Sequence, residues 1–141
     1  MNFNKSIFGS LALMLLLTAC YYEEGPVLSL SSRTSRIADT WKVVYATDEA
    51  GDETTDNYDG WSFTFTEDGD AEIDADIAGI GITYAGDWNL IDDDRNFQLL
   101  TKDPSGLLSF NIELEIIRLA GSEFWMRDPD DSLAVIYLEP K

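Results

Sequence analysis

Between Gly60 and Ile77 the chain reads G-W-S-F-T-F-T-E-D-G-D-A-E-I-D-A-D-I, two strict alternations joined by a turn signal. Successive side chains of a strand point to opposite faces, so Trp61, Phe63 and Phe65 share one face while Ser62, Thr64 and Thr66 share the other. In the second arm Ala71, Ile73, Ala75 and Ile77 alternate with Glu72, Asp74 and Asp76. Glu67-Asp68-Gly69-Asp70 between them supplies the glycine that tight hairpins favour. The pattern predicts a β-hairpin with one aromatic and aliphatic face buried and one hydroxyl and acidic face in water. Any fold for this chain must give that first face a core.

The start of the chain is of another kind. Lys5 precedes an apolar run from Ile7 to Leu17, interrupted only by Gly9 and Ser10. A helix that spans a membrane needs about 20 apolar residues, so residues 1–19 read as a signal peptide. Leu17-Thr18-Ala19-Cys20 resembles the lipobox of bacterial lipoproteins. That resemblance implies cleavage before Cys20, a diacylglyceryl group on its thiol and an acyl chain such as palmitate on the freed amine. The chain would then be an outer-membrane lipoprotein of the cell envelope, facing the periplasm or the cell surface. Several acyl chains hold a protein at a membrane where a single one anchors only reversibly. Cys20 is the one cysteine, so no intramolecular disulfide forms.

Residues 20–36 are rich in serine and charge and read as a tether or arm, with a reach of roughly 20 Å as a flexible coil. Val27, Leu28 and Leu30 form an apolar cluster that a pure linker would not need. Glu23-Glu24 has two readings: a soluble linker, or a feature that resembles the acidic export signals of some Bacteroidetes surface lipoproteins. Removing residues 1–19 takes away Lys5 and no acid, so a chain already at −18 becomes more negative. Nucleic acid as a partner needs a basic stripe and is not expected. Acidic chains poor in aromatics tend to be disordered, but here 12% of residues are aromatic and they keep regular parities.

From residue 37 onward, strand-like runs recur at the spacing of sandwiches and barrels. They are T-W-K-V-V-Y-A-T, the two arms of the hairpin, I-T-Y-A-G-D-W-N-L, N-F-Q-L-L-T, L-S-F-N-I-E-L-E-I-I-R, E-F-W-M-R-D and L-A-V-I-Y-L-E. A short helical turn around Ser35–Asp39 precedes them. About eight strands joined by consecutive hairpins predict an all-β domain over residues 37–141, an antiparallel up-and-down barrel whose closure removes the sheet edges. The first strand, I-A-D-T-W-K-V, resembles the opening of the lipocalin-like domains common in Bacteroidetes lipoproteins. Trp41 takes the tryptophan place and Asp39 stands where those domains carry glycine. The resemblance implies an arginine from a late strand packed over Trp41 at the barrel floor. Arg118, on the parity of Ile112, Leu114 and Ile116, fits that role.

Chemistry is sparse. The chain has no histidine, which removes His-based triads, imidazole general bases and imidazole zinc sites. No carboxylate pair sits among inward aromatics, so no catalytic residue is assigned and no enzyme is expected. Asp52, Asp56 and Asp59, the run Asp92-Asp93-Asp94, and Asp128, Asp130 and Asp131 are oxygen ligands of the kind calcium takes. None keeps an EF-hand spacing, and they read as solvated turn carboxylates with no metal or cofactor assigned.

Strand direction sorts the side chains by barrel end. Trp41, Phe65, Trp88, Phe97, Phe124 and Tyr137 fall toward the tether end as a bulky floor. Tyr45, Trp61, Ile77, Tyr84, Phe110 and Met126 fall toward a mouth built from the longer loops, where Tyr45, Trp61, Tyr84, Phe110 and Met126 would line the site of a small apolar or amphipathic ligand. That makes the chain a non-catalytic binding module. The competing expectation is a barrel filled by its own large side chains, a structural or interaction protein that meets a partner protein or glycan through its surface. On the last three strands Ile117, Leu119, Trp125, Ile136 and Leu138 take the outward parity. They predict an exposed apolar patch, covered by the arm at Val27–Leu30, by a partner protein or by a second copy of the chain.

Overall fold

The computed structural model describes residues 31–141. The segment read as a signal peptide, Cys20 and the cluster of Val27, Leu28 and Leu30 lie outside the described residues. A short helix α1 (Arg33–Ile37) is followed by eight strands. They are β1 (Thr40–Ala46), β2 (Ser62–Phe65), β3 (Asp70–Ile77), β4 (Ile80–Ile91), β5 (Asn96–Lys102), β6 (Ser109–Ala120), β7 (Glu123–Arg127) and β8 (Val135–Pro140). Each pairs antiparallel with the next, and β8 returns to β1, so the sheet is a closed up-and-down barrel. The predicted architecture is the observed one.

The hairpin of β2 and β3 keeps its expected register, with Phe63 opposite Ile73 and Phe65 opposite Ala71. All four side chains are buried, whereas Glu72, Asp74 and Asp76 are exposed. At its turn Gly69 takes φ +95°, a conformation that costs a side chain dearly, and Thr66 Oγ1 accepts from the Asp70 amide at 3.0 Å.

One end of the barrel is solid. Trp41 and Phe124 are fully buried and meet edge to face at 5.7 Å. Phe97 touches Phe124 at 5.4 Å, Phe65 at 5.1 Å and Trp88 at 5.7 Å, so five aromatic rings form one contiguous floor. Each floor indole donates to a backbone carbonyl, Trp41 to Ile37 at 2.8 Å and Trp88 to Thr66 at 3.0 Å, so neither N–H is left unpaired. Helix α1 packs against β6 at this end. Ser32 caps the helix by accepting from the Ser35 amide, Ile37 is fully buried, and Arg36 Nη1 donates to the Leu119 carbonyl at 3.0 Å. The packed unit therefore takes in Arg33–Arg36, which the sequence pattern assigns to the tether.

Two bulges reverse the expected parity. Along β1 and β8, Val43 faces Leu138 but Tyr45 faces Tyr137, leaving Val44 as an extra residue. Along β6 and β7, Ile116 faces Met126 but Arg118 faces Trp125, leaving Ile117 extra. A bulge places two residues against one, and everything beyond it moves to the other face. Beyond the first bulge Tyr45 turns outward and Ala46 inward. Beyond the second Arg118 turns outward and Leu119 inward. Leu119 and Leu138 are each 1% exposed and belong to the core, and Ile136 packs against it. The expected outward patch thus loses Leu119; it also loses Ile136 and Leu138, because β8 runs without an extra residue and sets Leu138 opposite Val43 and Ile136 opposite Ala46 on the inner face.

Candidate functional site

The loops sort as strand direction requires. Residues 66–69, 92–95 and 121–122 turn at the floor end, and residues 47–61, 78–79, 103–108 and 128–134 at the other. Above the floor the barrel interior is open, with a cavity of about 440 Å³. That lies within the range of roughly 300–1,000 Å³ typical of small-molecule sites. The expectation of a core filled throughout does not hold, because the large rings are concentrated at one end.

Four of the five residues expected from the sequence to line the site come together on this cavity: Trp61, Tyr84, Phe110 and Met126. Tyr84 and Met126 are buried in its wall, and Phe110, though it points inward, is 44% exposed. An inward side chain that water still reaches marks the opening. Tyr84 and Phe110 meet edge to face at 5.4 Å, and Trp61 is held between Tyr58 at 5.4 Å and Phe63 at 6.2 Å. The Trp61 indole donates to the Asp76 carbonyl at 3.1 Å, which fixes the ring at the junction of the hairpin and the mouth. Tyr45 is not in the cavity, because the β1 bulge puts it on the outer surface, 38% exposed.

Sequence reasoning missed several wall residues. Ile136 lines the cavity, hidden by the parity error on β8. Glu139 shares the parity of Tyr137 and lies outside, which was the available signal that Tyr137 does too. Thr101 follows Phe97 and Leu99 in the inward register of β5 and lines the cavity. It is 2% exposed and its hydroxyl oxygen has no hydrogen-bond partner. Asp128, just after β7, also lines the cavity; its Oδ1 accepts from the Asp130 amide at 2.8 Å.

Arg118 does not reach Trp41. It sits outside, 5.1 Å over the Trp125 ring, with Nε donating to Glu123 at 2.6 Å. Arg118, Trp125, Tyr137 and Tyr45 are successive cross-strand partners on β6, β7, β8 and β1. Trp125 and Tyr137 stack at 4.5 Å with ring planes 16° apart, and Tyr45 leans on Tyr137 at 5.4 Å. These side chains cover one another, so Trp125 is half-buried instead of standing in an open apolar patch, and Ile117 is half-buried beside it. Below them Arg127 Nε donates to Glu115 at 2.6 Å, and this bond is the main cause that holds the Glu115 carboxyl below its ordinary pKa. The group is exposed, so its effect on stability is small.

The acidic loops act as turn formers. Asp48 Oδ1 accepts from the Ala50 and Asp52 amides, and Asp131 Oδ1 accepts from that of Leu133. Asp103 accepts from the Ser105 hydroxyl and from the Leu108 amide, which lowers its pKa. Asp92, Asp93 and Asp94 all take positive φ in one tight turn. Among the described residues no three acidic, histidine or cysteine side chains are grouped to hold a metal ion.

No protein-family model matches the chain, and no curated protein matches it. Among solved structures it resembles a lipocalin-like protein from Bacteroides uniformis at 11% identity. The TM-score is 0.57, over 75% of this chain and 99% of that one. At so low an identity the likeness establishes the fold, a lipocalin-like barrel.

Proposed function

We propose that this protein is a non-catalytic binding module that holds a small apolar or amphipathic molecule in the mouth half of its barrel. The observation that carries the reading is the division of the interior: a close-packed aromatic floor beneath a cavity of about 440 Å³ that is open at the loop end. A barrel needed only as a scaffold gains stability by filling its core, since voids forfeit dispersion contacts. The lipocalin-like fold suits binding, and among the described residues the cavity wall offers a single carboxylate, Asp128.

An inward Ile112, 39% exposed at the opening, provides the test. Ile112→Trp should project an indole into the cavity without touching the floor. Binding of a neutral environment-sensitive dye such as N-phenyl-1-naphthylamine is expected to fall by about tenfold or more, with the thermal midpoint little changed. Undiminished dye binding in a folded variant would mean that the dye sits elsewhere.

Location completes the proposal. The lipobox resemblance at Leu17–Cys20 supports anchoring through lipid on Cys20 in the outer membrane of a cell envelope. The mouth then lies at the end of the barrel away from the tether, toward the periplasm or the cell exterior. Expressed with its signal peptide, the protein should partition with membranes, and Cys20→Ser should release it to the soluble fraction. A Cys20→Ser protein that stays wholly with membranes would remove the anchoring claim and leave the cavity untouched.

A further inference from the structure

The charge and polarity of the cavity wall narrow what could occupy it; this step rests on the cavity being a ligand site. Among the described residues Asp128 is the one charged side chain on the wall, and no lysine or arginine lines it. The nearby bases are turned away: Arg127 bonds Glu115 on the outer face, and Lys102 takes the parity opposite to the inward Thr101. Thr101 adds a buried hydroxyl without a partner, on the same wall. Such a group is rarely left orphaned in a native interior and marks where a polar atom of something else belongs.

The mouth has two unlike lips. Residues 47–61 carry six acids and no base, and residues 128–134 carry three acids and no base. The two loops are tied together, Thr47 Oγ1 donating to the Leu133 carbonyl and accepting from the Val135 amide. Across the opening Ile80, Leu107 and Leu108 stand 65%, 86% and 56% exposed. A cleft bounded by low-dielectric walls and charges of one sign concentrates ions of the other sign and excludes its own. A carboxylate brought here would be stripped of water with no cation to meet it, which is costly. A carboxylate acceptor on the wall instead suits a group that donates hydrogen bonds.

We propose that the cavity takes an apolar molecule whose polar end donates hydrogen bonds and carries no negative charge, an amine or an alcohol, with Asp128 and Thr101 as its polar contacts. Ammonium heads gain most, because Asp128 and the acidic lip both attract them. Fatty acids and other anionic amphiphiles are rejected.

The test compares decylamine and decanoate below their critical micelle concentrations, and decanol below its solubility limit, as competitors of N-phenyl-1-naphthylamine on the purified protein. Decylamine and decanol are expected to displace the dye, and decanoate to be weaker than decylamine by about tenfold or more at low salt, a gap that narrows as salt screens it. Asp128→Asn keeps an acceptor for the Asp130 amide and should close most of the remaining gap. Thr101→Val should weaken decanol several-fold while leaving the thermal midpoint unchanged or raised, since it removes a buried unpaired hydroxyl. Decanoate competing as well as decylamine would overturn the charge selection. A Thr101→Val protein that binds decanol normally would remove Thr101 from the site. Failure of the dye and all three competitors to bind would instead count against the cavity as a ligand site, a result distinct from either.

Discussion

Gly86→Ala is expected to destabilise the barrel by about 3 kcal/mol or more, through backbone geometry alone. Gly86 sits on β4 opposite Thr101 of β5. A Cβ added there would lie 1.8 Å from the Leu100 carbonyl oxygen, and 2.8 Å from both the Leu100 carbonyl carbon and Thr101 Cα. All three are main-chain atoms, so no side chain can swing aside. The strands must separate, and the ladder that runs from Ala85 opposite Lys102 to Ile91 opposite Asn96 is disturbed at its mouth end. For a domain of this size the loss corresponds to a fall in the thermal midpoint of more than about 10 °C. Gly81, on the same strand, is the control, because a Cβ added to it would meet nothing within 4 Å. Gly81→Ala should shift the midpoint by no more than a few degrees. Equal effects of the two substitutions in thermal unfolding followed by circular dichroism would contradict the close approach.

Trp41→Ala should cost about 3–5 kcal/mol, the range for removing a fully buried large aromatic. Trp41 is 0% exposed, packs on Phe124, and donates to the Ile37 carbonyl that ends α1. Its loss therefore opens the floor and unpins the helix that closes it. Trp41→Phe separates the two roles. It keeps most of the packing and leaves the Ile37 carbonyl without its donor, a penalty of roughly 1–3 kcal/mol. Limited proteolysis should then cut within residues 33–39 in both variants, while the barrel of the Phe variant stays folded. A Trp41→Ala protein that loses less than about 1 kcal/mol in urea unfolding would show that the floor is not built around this ring.

The regular strands were legible because water reads one face of them. In β3 the acids at Glu72, Asp74 and Asp76 mark the outer face, and in β5 the alternation of Phe97, Leu99 and Thr101 with their neighbours marks the inner one. Parity failed where two like residues adjoin, at Val43-Val44 and Ile116-Ile117, because an extra residue in a bulge leaves the hydrophobic count intact while reversing the faces beyond it. On β8 the aromatic weight of Tyr137 outbid Ile136 and Leu138, although Glu139 on its own parity lies outside. The cavity was harder to read, since alternation gives the direction of a side chain and not the space left beside it. That space depends on strand tilt and barrel radius, which no local pattern encodes.

In the proposed reading the mouth half of the barrel is a binding site and the floor half is not. Titrating the isotope-labelled protein with decanol and following amide and methyl shifts by nuclear magnetic resonance tests it most directly. Saturable shifts are expected at Tyr84, Thr101, Phe110, Ile112, Met126 and Ile136, with the floor at Trp41, Phe97 and Phe124 and the outer ladder at Trp125 and Tyr137 unmoved. Shifts confined to the outer ladder, or none at saturating decanol, would contradict it.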